Sequence, residues 1–160
     1  MACSVAAGAV AVEPGRIAGV EWPGAIVLPD GTAVRGRGRR QPLPDGPLPE
    51  HGLYLGGRLA RRRWTPPWPS TWVDWPDFGL PRDPSAAVAA IVAAYERARA
   101  GARVEVACGG GTGRTGTVLA CMAQLAGVPA EESVAWVRAH YRPRAVETRA
   151  QRRWVLAFGS

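Results

Sequence analysis

The stretch RVEVACGGGTGRTG, residues 103–116, constrains the fold of this chain more than any other. Its first six residues have the length and valine content of a short buried strand. The glycines that follow permit a tight curl of the backbone, and from about residue 115 the pattern is helical. A strand that runs through such a loop into a helix directs several N–H groups to the helix N-terminus, where an anion binds. The sequence therefore predicts an anion site at this loop.

Two side chains of this stretch carry chemistry. Cys108 ends the predicted strand, and Arg114 follows after five residues. A curled loop of that length brings the thiol and the guanidinium together, and the positive field favours the thiolate that a nucleophile must be. Arg114 can bind two phosphoryl oxygens bidentately, and Thr115 can donate its hydroxyl to the sulfur. The phosphate would rest on the N–H groups of the intervening residues, which are Gly109, Gly110, Gly111, Thr112 and Gly113.

The same glycines permit a second interpretation. GTGRTG, residues 111–116, fits the G-x-G-x-x-G pattern of dinucleotide-binding loops. That interpretation requires an acidic residue about 20 residues further on, after a second strand. Residues 130–141 have the pattern of a helix instead, so the context favours the thiolate site.

Three motifs of this chain resemble those of the cysteine-based protein-tyrosine phosphatase superfamily, and they follow one another along the chain in that family's order. Cys108, five residues, Arg114 and Thr115 fit its signature loop, with glycines at its customary places. WPDFGLP, residues 75–81, is similar to the family's mobile acid loop, and VETRAQ, residues 146–151, is similar to its late glutamine segment. The first 70 residues match nothing specific.

The resemblance implies a phosphomonoester hydrolase, foremost a protein-tyrosine phosphatase, that forms a cysteinyl-phosphate and needs no metal or other cofactor. Asp77 would be the general acid, and Gln151 would position the water that hydrolyses the intermediate. Thr148-x-x-Gln151 is also the pattern of a helix capping box. Asp74 and Asp83 are weaker candidates for the general acid, because Asp74 is expected at the end of a strand and Asp83 is expected to be a helix N-cap. The family usually has histidine before the cysteine, where this chain has Ala107.

Two alternatives remain beside the tyrosine phosphatase: a dual-specificity phosphatase, and a pseudophosphatase that binds phosphopeptides without turnover. The intact Cys108, Arg114 and Asp77 argue against the pseudophosphatase. The expected partner is a phosphorylated protein or peptide. The loop interior has none of the basic residues that phosphoinositide-directed members carry, and no Asn-Arg-Tyr segment deepens the cleft.

The charge of the chain bears on its partners and its compartment. The 160 residues carry a net charge of +7, and all 20 cationic residues are arginines, which suit phosphate and carboxylate ligands. Nucleic acid is an unlikely partner, because no nucleic-acid module accompanies the charge.

Three cysteines form no disulfide framework, and no apolar run approaches about 18 residues. ACSVAAGAVAV near the start lacks the basic region of a signal peptide. A cytoplasmic protein without a membrane span is expected.

The fold class predicted from these patterns is α/β, with a central mixed, twisted sheet flanked by helices and the phosphate-binding loop between a strand and a helix N-terminus. Residues 1–160 would form one phosphatase domain, with 1–15 as a loose arm. The expected strands lie around the Pro-Asp-Gly turn in 26–36 and in 52–57, 71–74 and 103–108, with 35–52 and 61–70 irregular. The expected helices begin at Asp83-Pro84, at about 115, at 130 and at 149.

Several further residues have a structural interpretation. Cys121 lies on the apolar face of a predicted helix and is expected in the core. His51 and His140 have no metal-ligand spacing and are expected on the surface. The arginines in 35–40 and 61–63 are expected mainly in solvated loops. Four tryptophans, Trp64, Trp68, Trp72 and Trp75, crowd the approach to the acid loop, where some belong to the core and others could hold a phosphotyrosine ring.

Overall fold

The architecture rests on a mixed sheet, as predicted. The structure, a computed structural model, describes residues 16–17 and 20–160, so the expected loose arm at 1–15 lies outside the described residues. The strands are β1 (Arg16–Ile17), β2 (Val20–Glu21), β3 (Ala25–Val27), β4 (Ala33–Gly38), β5 (His51–Gly56), β6 (Ser70–Asp74) and β7 (Val104–Cys108). β1 and β2 form a separate ladder, and the main sheet has the order β3-β4-β7-β5-β6. β3 is antiparallel to β4, and the other neighbours are parallel.

A layer of helices covers one face of this sheet. α1 (Arg58–Arg63) follows β5 and lies outside this layer. The layer consists of α2 (Pro84–Arg99) and α3 (Gly113–Leu125), which pack on the strands, and of α4 (Ala130–His140) and α5 (Arg149–Ala157), which pack on α3. α2 begins as predicted, because the Asp83 carboxylate accepts a hydrogen bond of 3.0 Å from the Ala86 N–H. Val104 and Val106 of β7 lie in the core with the apolar faces of α2 and α3, and Cys121 is buried there as expected. Since side chains alternate along a strand, the residues between these valines face the other way.

The opposite face of the sheet holds a buried ion cluster. Glu105 of β7 is fully buried, and its carboxylate accepts hydrogen bonds from Arg35 at 2.7 and 3.1 Å and from Arg37 at 2.8 and 3.0 Å. Tyr54 donates its hydroxyl to the same carboxylate at 3.2 Å. Burial alone raises the pKa of Glu105, but the hydrogen bonds and charges of Arg37 and Arg35 outweigh it and lower the pKa overall. The carboxylate therefore stays ionised inside the protein.

This cluster corrects the prediction for residues 35–52. The first four of them continue β4, and the arginines at 35 and 37 are 1% and 5% exposed rather than solvated. The Gly-Arg alternation sends both guanidiniums to one face of the strand, where Glu105 neutralises them in part. Composition suggested a loop because residues 35–52 are rich in glycine, proline and arginine, and the partner carboxylate is 68–70 residues away along the chain.

Two smaller predictions were also wrong. His51, expected on the surface, begins β5 and is 8% exposed, with Nε2 at 3.2 Å from the Thr71 hydroxyl and 3.3 Å from an Arg97 nitrogen. Residues 58–63 form α1, so the irregular stretch begins only at Trp64. His140 is exposed as expected and stacks on Trp136.

We expect Glu105→Gln to destabilise the protein by about 3–5 kcal/mol, because removal of one partner leaves two buried guanidiniums without their counter-charge. Urea denaturation at pH 7 measures this loss. The wild type should lose the contribution of Glu105 as the pH falls below 4.5, the ordinary value for glutamate, since the pKa is lowered in the folded state. The variant should lack that part of the acid sensitivity.

Glu50→Gln is the matched control, since Glu50 pairs with Arg103 at 3.8 Å on the surface and its side chain is 50% exposed. Its cost should stay within about 1 kcal/mol. Equal stability losses in the two variants would show that the buried cluster contributes no more than a surface pair.

Candidate functional site

Two hydrogen-bond donors point at the sulfur of Cys108, which ends β7 just before α3. The Gly111 N–H and the Thr115 hydroxyl each donate to Sγ at 3.1 Å. The Thr115 oxygen in turn accepts from the Cys108 N–H at 2.9 Å, which fixes its orientation. The thiol is almost fully buried. Donors on a sulfur stabilise its negative charge, so this environment suits a thiolate.

The loop of residues 109–112 lies directly on the end of β4. Gly111 has a φ of 79°, and a Cβ there would lie 2.5 Å from the Gly38 nitrogen. The backbone continues the contact, because the N–H groups of Arg39 and Arg40 donate to the Cys108 and Gly109 carbonyls at 2.7 and 3.2 Å. Glycine is therefore required at 111 both for the backbone conformation and for the close approach of β4.

Residues after α4 support the loop from the other side, and the sequence analysis missed them. Tyr141 donates its hydroxyl to the Gly111 carbonyl, and burial raises the pKa of this phenol, which keeps it a donor. Arg142 donates to the Gly110 carbonyl at 2.8 Å and to the Thr112 hydroxyl at 3.2 Å. These bonds fix the carbonyls of Gly110 and Gly111 to the segment that follows α4. A Tyr-Arg pair 30 residues downstream carries no local signal of this role.

Arg114 connects the loop to the acid loop. Its Nη1 donates to the Trp75 carbonyl at 2.9 Å, and its Nη2 lies 3.2 Å from the Asp77 carboxylate. The Asp77 side chain is 58% exposed, whereas Arg114 is buried. Trp75 is fully buried and donates its indole N–H to the Gly79 carbonyl at 2.8 Å, which closes the turn. The structure thus brings Asp77 to the loop of Cys108.

Gln151 is held by the capping box and also faces the site. Its side-chain oxygen accepts from the N–H groups of Glu147 and Thr148 at 3.0 and 3.3 Å, and the Thr148 hydroxyl accepts from the Gln151 N–H. Its Nε2 is buried and has no hydrogen-bond partner among the described residues. The two interpretations of this motif are compatible, because the cap fixes the oxygen and leaves the amide NH₂ for a ligand.

These groups surround a cavity of about 120 Å³. It is lined by Arg40, Asp77, Phe78, Cys108, Gly110, Thr112, Gly113, Arg114, Glu147 and Gln151. The predicted Gly109, Gly111 and Thr115 do not line it but shape the loop beneath it. Arg40, Phe78 and Glu147 are additional. Phe78 and Glu147 belong to the WPDFGLP and VETRAQ motifs, whereas Arg40 belongs to no motif that the sequence analysis singled out. Asp74 pairs with Arg82 at 3.4 Å and Asp83 caps α2, so neither reaches this cavity.

Ala107, which directly precedes Cys108, is buried. The family that the sequence resembles usually has histidine at this position. Ala107 packs against Tyr54 and Trp68, and Trp64 and Trp72 lie against the same cluster. Trp68 donates its indole N–H to the Tyr54 hydroxyl at 2.6 Å, and that hydroxyl donates to the buried Glu105. Most of the tryptophans near the acid loop therefore belong to this packing and not to the rim of the cavity.

No group of three or more His, Cys, Asp and Glu side chains in residues 16–17 and 20–160 is arranged to hold a metal ion. No helix in the described part of the chain combines the length and the apolar character that a bilayer crossing needs.

The sequence matches a known family over part of its length. Residues 81–155, just under half of the chain, match the family described as PTP-SAK: Swiss Army Knife protein, DSP-PTPase phosphatase domain. The match includes Cys108, Arg114 and Gln151 and begins after Asp77. An uncharacterized protein of Methanocaldococcus jannaschii is 38% identical over 90 residues, which are 56% of this chain and 59% of that protein.

Solved structures share the fold. Tk-PTP in its active form is 24% identical with a TM-score of 0.62, over 84% of this chain and 95% of that one. A glycine-to-alanine mutant form of Tk-PTP is 25% identical with a TM-score of 0.57, over 67% and 74%. Kinase associated phosphatase with its catalytic cysteine replaced by serine is 15% identical with a TM-score of 0.55, over 66% of each chain.

Proposed function

We propose that this chain is a member of the cysteine-based protein-tyrosine phosphatase superfamily and that it hydrolyses phosphomonoesters of proteins or peptides through a cysteinyl-phosphate. The match of residues 81–155 to a phosphatase domain and the fold shared with Tk-PTP support this proposal. One observation carries the proposal: groups from two separate segments, the loop after β7 and the acid loop after β6, converge on one small cavity. They are the Cys108 sulfur with its two donors, the buried Arg114, and Asp77 at 3.2 Å from that arginine. The matched family is a phosphatase domain of the dual-specificity type.

In the first step the Cys108 thiolate attacks phosphorus, and the bond between phosphorus and the ester oxygen breaks. The equatorial oxygens rest on the loop N–H groups and on the Arg114 guanidinium, which neutralise the charge of the transition state. Asp77 gives its proton to the departing oxygen, so that an alcohol or phenol leaves instead of an anion.

In the second step water attacks the phosphocysteine and the bond between sulfur and phosphorus breaks. Asp77, now a carboxylate, takes a proton from that water, which the unpartnered Nε2 of Gln151 would orient. The Thr115 hydroxyl, 3.1 Å from Sγ, stabilises the sulfur as it leaves as a thiolate. Inorganic phosphate is released, and the thiolate is ready for another cycle.

We propose phosphotyrosine as the first substrate class, with phosphoserine and phosphothreonine as the dual-specificity alternative. Phe78 supports an aromatic substrate, since it lies on the lip of the cavity and is 62% exposed. Residues 1–160 are proposed to form one catalytic domain, in agreement with a structural match over 84% of the chain. A cytoplasmic location remains a proposal that rests on the sparse cysteines.

The dinucleotide interpretation of GTGRTG loses its support. A dinucleotide site needs a second strand with an acidic residue after the glycine-rich turn. Residues 109–160, all of which are described, contain helices and connections but no strand.

Hydrolysis of para-nitrophenyl phosphate in the presence and absence of EDTA tests the proposed function. We expect equal rates, because Arg114 and the loop amides supply the positive charge. Arg114→Lys should lower kcat/KM by about 10²-fold or more, since an ammonium cannot reproduce the planar fork that binds two oxygens. Arg153→Lys, at an exposed residue of α5 outside the cavity of Cys108, is the control that should retain the rate. No hydrolysis by the wild type would favour the pseudophosphatase.

A further inference from the structure

Two residues other than glycine have a positive φ in the described part of the chain, and both belong to segments that line the cavity of Cys108. Phe78 has a φ of 56° and Val146 has a φ of 64°. For a β-branched residue such as valine this conformation is an outlier, and it persists only where the surrounding structure enforces it. Phe78 follows Asp77 in the acid loop. Val146 lies in the turn between α4 and α5, which has no role in the proposed mechanism.

Contacts on two sides enforce the conformation of the buried Val146. Arg138 of α4 donates from Nε to the Ala145 carbonyl and from Nη2 to the Val146 carbonyl, both at 2.9 Å. Such charge-assisted hydrogen bonds are stronger than neutral ones. On the other side the turn lies directly on α3, where a Cβ at Gly116 would be 2.6 Å from the Ala145 Cβ and 3.0 Å from the Val146 nitrogen. The turn is therefore held between a guanidinium and the helix that follows the phosphate loop.

The peptide unit after Val146 connects Arg138 to Gln151. Its carbonyl accepts the hydrogen bond from Arg138, and its N–H, which belongs to Glu147, donates to Oε1 of Gln151 at 3.0 Å. The Thr148 N–H donates to the same oxygen at 3.3 Å. Because both donors require the oxygen, the side-chain amide can adopt only one of its two orientations. Nε2 of Gln151 is then left, buried and without a partner among the described residues, for a ligand of the cavity.

We propose that Arg138 is a positioning residue for the second step of catalysis: it holds the peptide unit after Val146, so that Gln151 presents its amide NH₂ to the attacking water. This inference rests on the proposed function. In that step the water oxygen bonds to phosphorus, the bond between sulfur and phosphorus breaks, and Asp77 takes the proton. Without Arg138, Val146 can return to a negative φ, which turns the peptide unit and withdraws its N–H from Gln151. The first step does not use Gln151 and should be unaffected.

Arg138→Met keeps most of the side-chain length and removes the donors. Rapid-quench kinetics with a phosphotyrosine peptide measure the formation and the hydrolysis of the phosphocysteine separately. We expect hydrolysis to slow by roughly 10-fold, the effect of about one hydrogen bond, and formation to stay within about 2-fold of the wild type. The ratio kcat/KM reports only the steps up to phosphocysteine formation, so it should keep the wild-type value, which also shows that the variant is folded.

Glycine at position 146 tests the connection through the backbone. Glycine adopts a positive φ without strain, so the double variant Arg138→Met/Val146→Gly should hydrolyse the phosphocysteine within about 3-fold of the wild-type rate. Arg138→Met/Val146→Ala also loses side-chain packing but keeps the strain, and it should not recover. Arg144→Met is the matched control, since the exposed Arg144 lies in the same surface groove as Arg138, while the carbonyls of the turn are held by Arg138. It should keep the wild-type rates of both steps.

The outcomes separate this inference from the function on which it rests. If the wild type forms no phosphocysteine, the proposed function is wrong and the inference fails with it. If the phosphocysteine forms, and Arg138→Met hydrolyses it at the wild-type rate or slows both steps equally, only the assignment of Arg138 is wrong. Recovery in both double variants, or in neither, would contradict the connection through the φ of Val146.

Discussion

Cys108→Ser abolishes turnover and leaves phosphopeptide binding intact, if Cys108 is the nucleophile. We expect kcat to fall by roughly 10⁴-fold or more, because a serine hydroxyl stays protonated at neutral pH and is a far weaker nucleophile than a thiolate. Binding should persist, since the loop amides and Arg114 hold the phosphoryl group. Steady-state kinetics with para-nitrophenyl phosphate and calorimetric titration with a phosphotyrosine peptide measure the two effects separately.

Cys121→Ala is the matched control for this experiment. Cys121 lies on α3 and is fully buried in the hydrophobic core. Burial raises the pKa of its thiol well above the ordinary value, so this thiol is inert. The variant should keep the wild-type kcat. Retention of more than about 1% of activity in Cys108→Ser would assign the nucleophile to another residue.

Asp77→Asn removes the proton donor, and its effect should depend on the leaving group. We expect a loss of about 10²–10⁴-fold in kcat for a phosphotyrosine peptide, whose phenol has a pKa near 10 and leaves poorly as an anion. The loss should be smaller for para-nitrophenyl phosphate, because para-nitrophenolate needs little protonation. The ratio of kcat on the two substrates, in variant and wild type, is the measurement.

Asp74→Asn serves as the control, since Asp74 precedes the acid loop and pairs with Arg82 instead of Arg114. It should leave both rates near the wild-type values. Equal losses on the two substrates in Asp77→Asn would mean that Asp77 shapes the loop through its contact with Arg114 and donates no proton.

The sequence predicted the parts of this molecule in which the signal is local. The strand, loop and helix around Cys108, the N-cap at Asp83 and the hairpin around residues 28–31 depend on neighbouring residues, and all are observed. The convergence of Asp77 on this loop was predicted through the family resemblance, because no periodicity relates segments 30 residues apart.

The remainder depends on contacts between distant segments. Arg35 and Arg37 become strand residues only because Glu105 of β7 lies opposite them, and composition alone favours a loop there. Tyr141 and Arg142 reach the phosphate loop from beyond α4, and Arg40 reaches it from the end of β4. Arginine is too frequent in this chain for any single one to be recognised from the sequence.

The position of β7 at the centre of the sheet has a consequence for motion. Cys108 is continuous with a strand that is paired on both sides and bound through Glu105 to β4, whereas the acid loop follows β6 at the edge. Amide protons of β7 should therefore exchange with solvent only through the cooperative opening of the sheet, and those of residues 76–80 through a local opening of lower free energy. Under the proposed mechanism, the site has a rigid part that holds the anion and a more mobile part that delivers the proton, so that substrates can enter and products leave without disturbing the anion site.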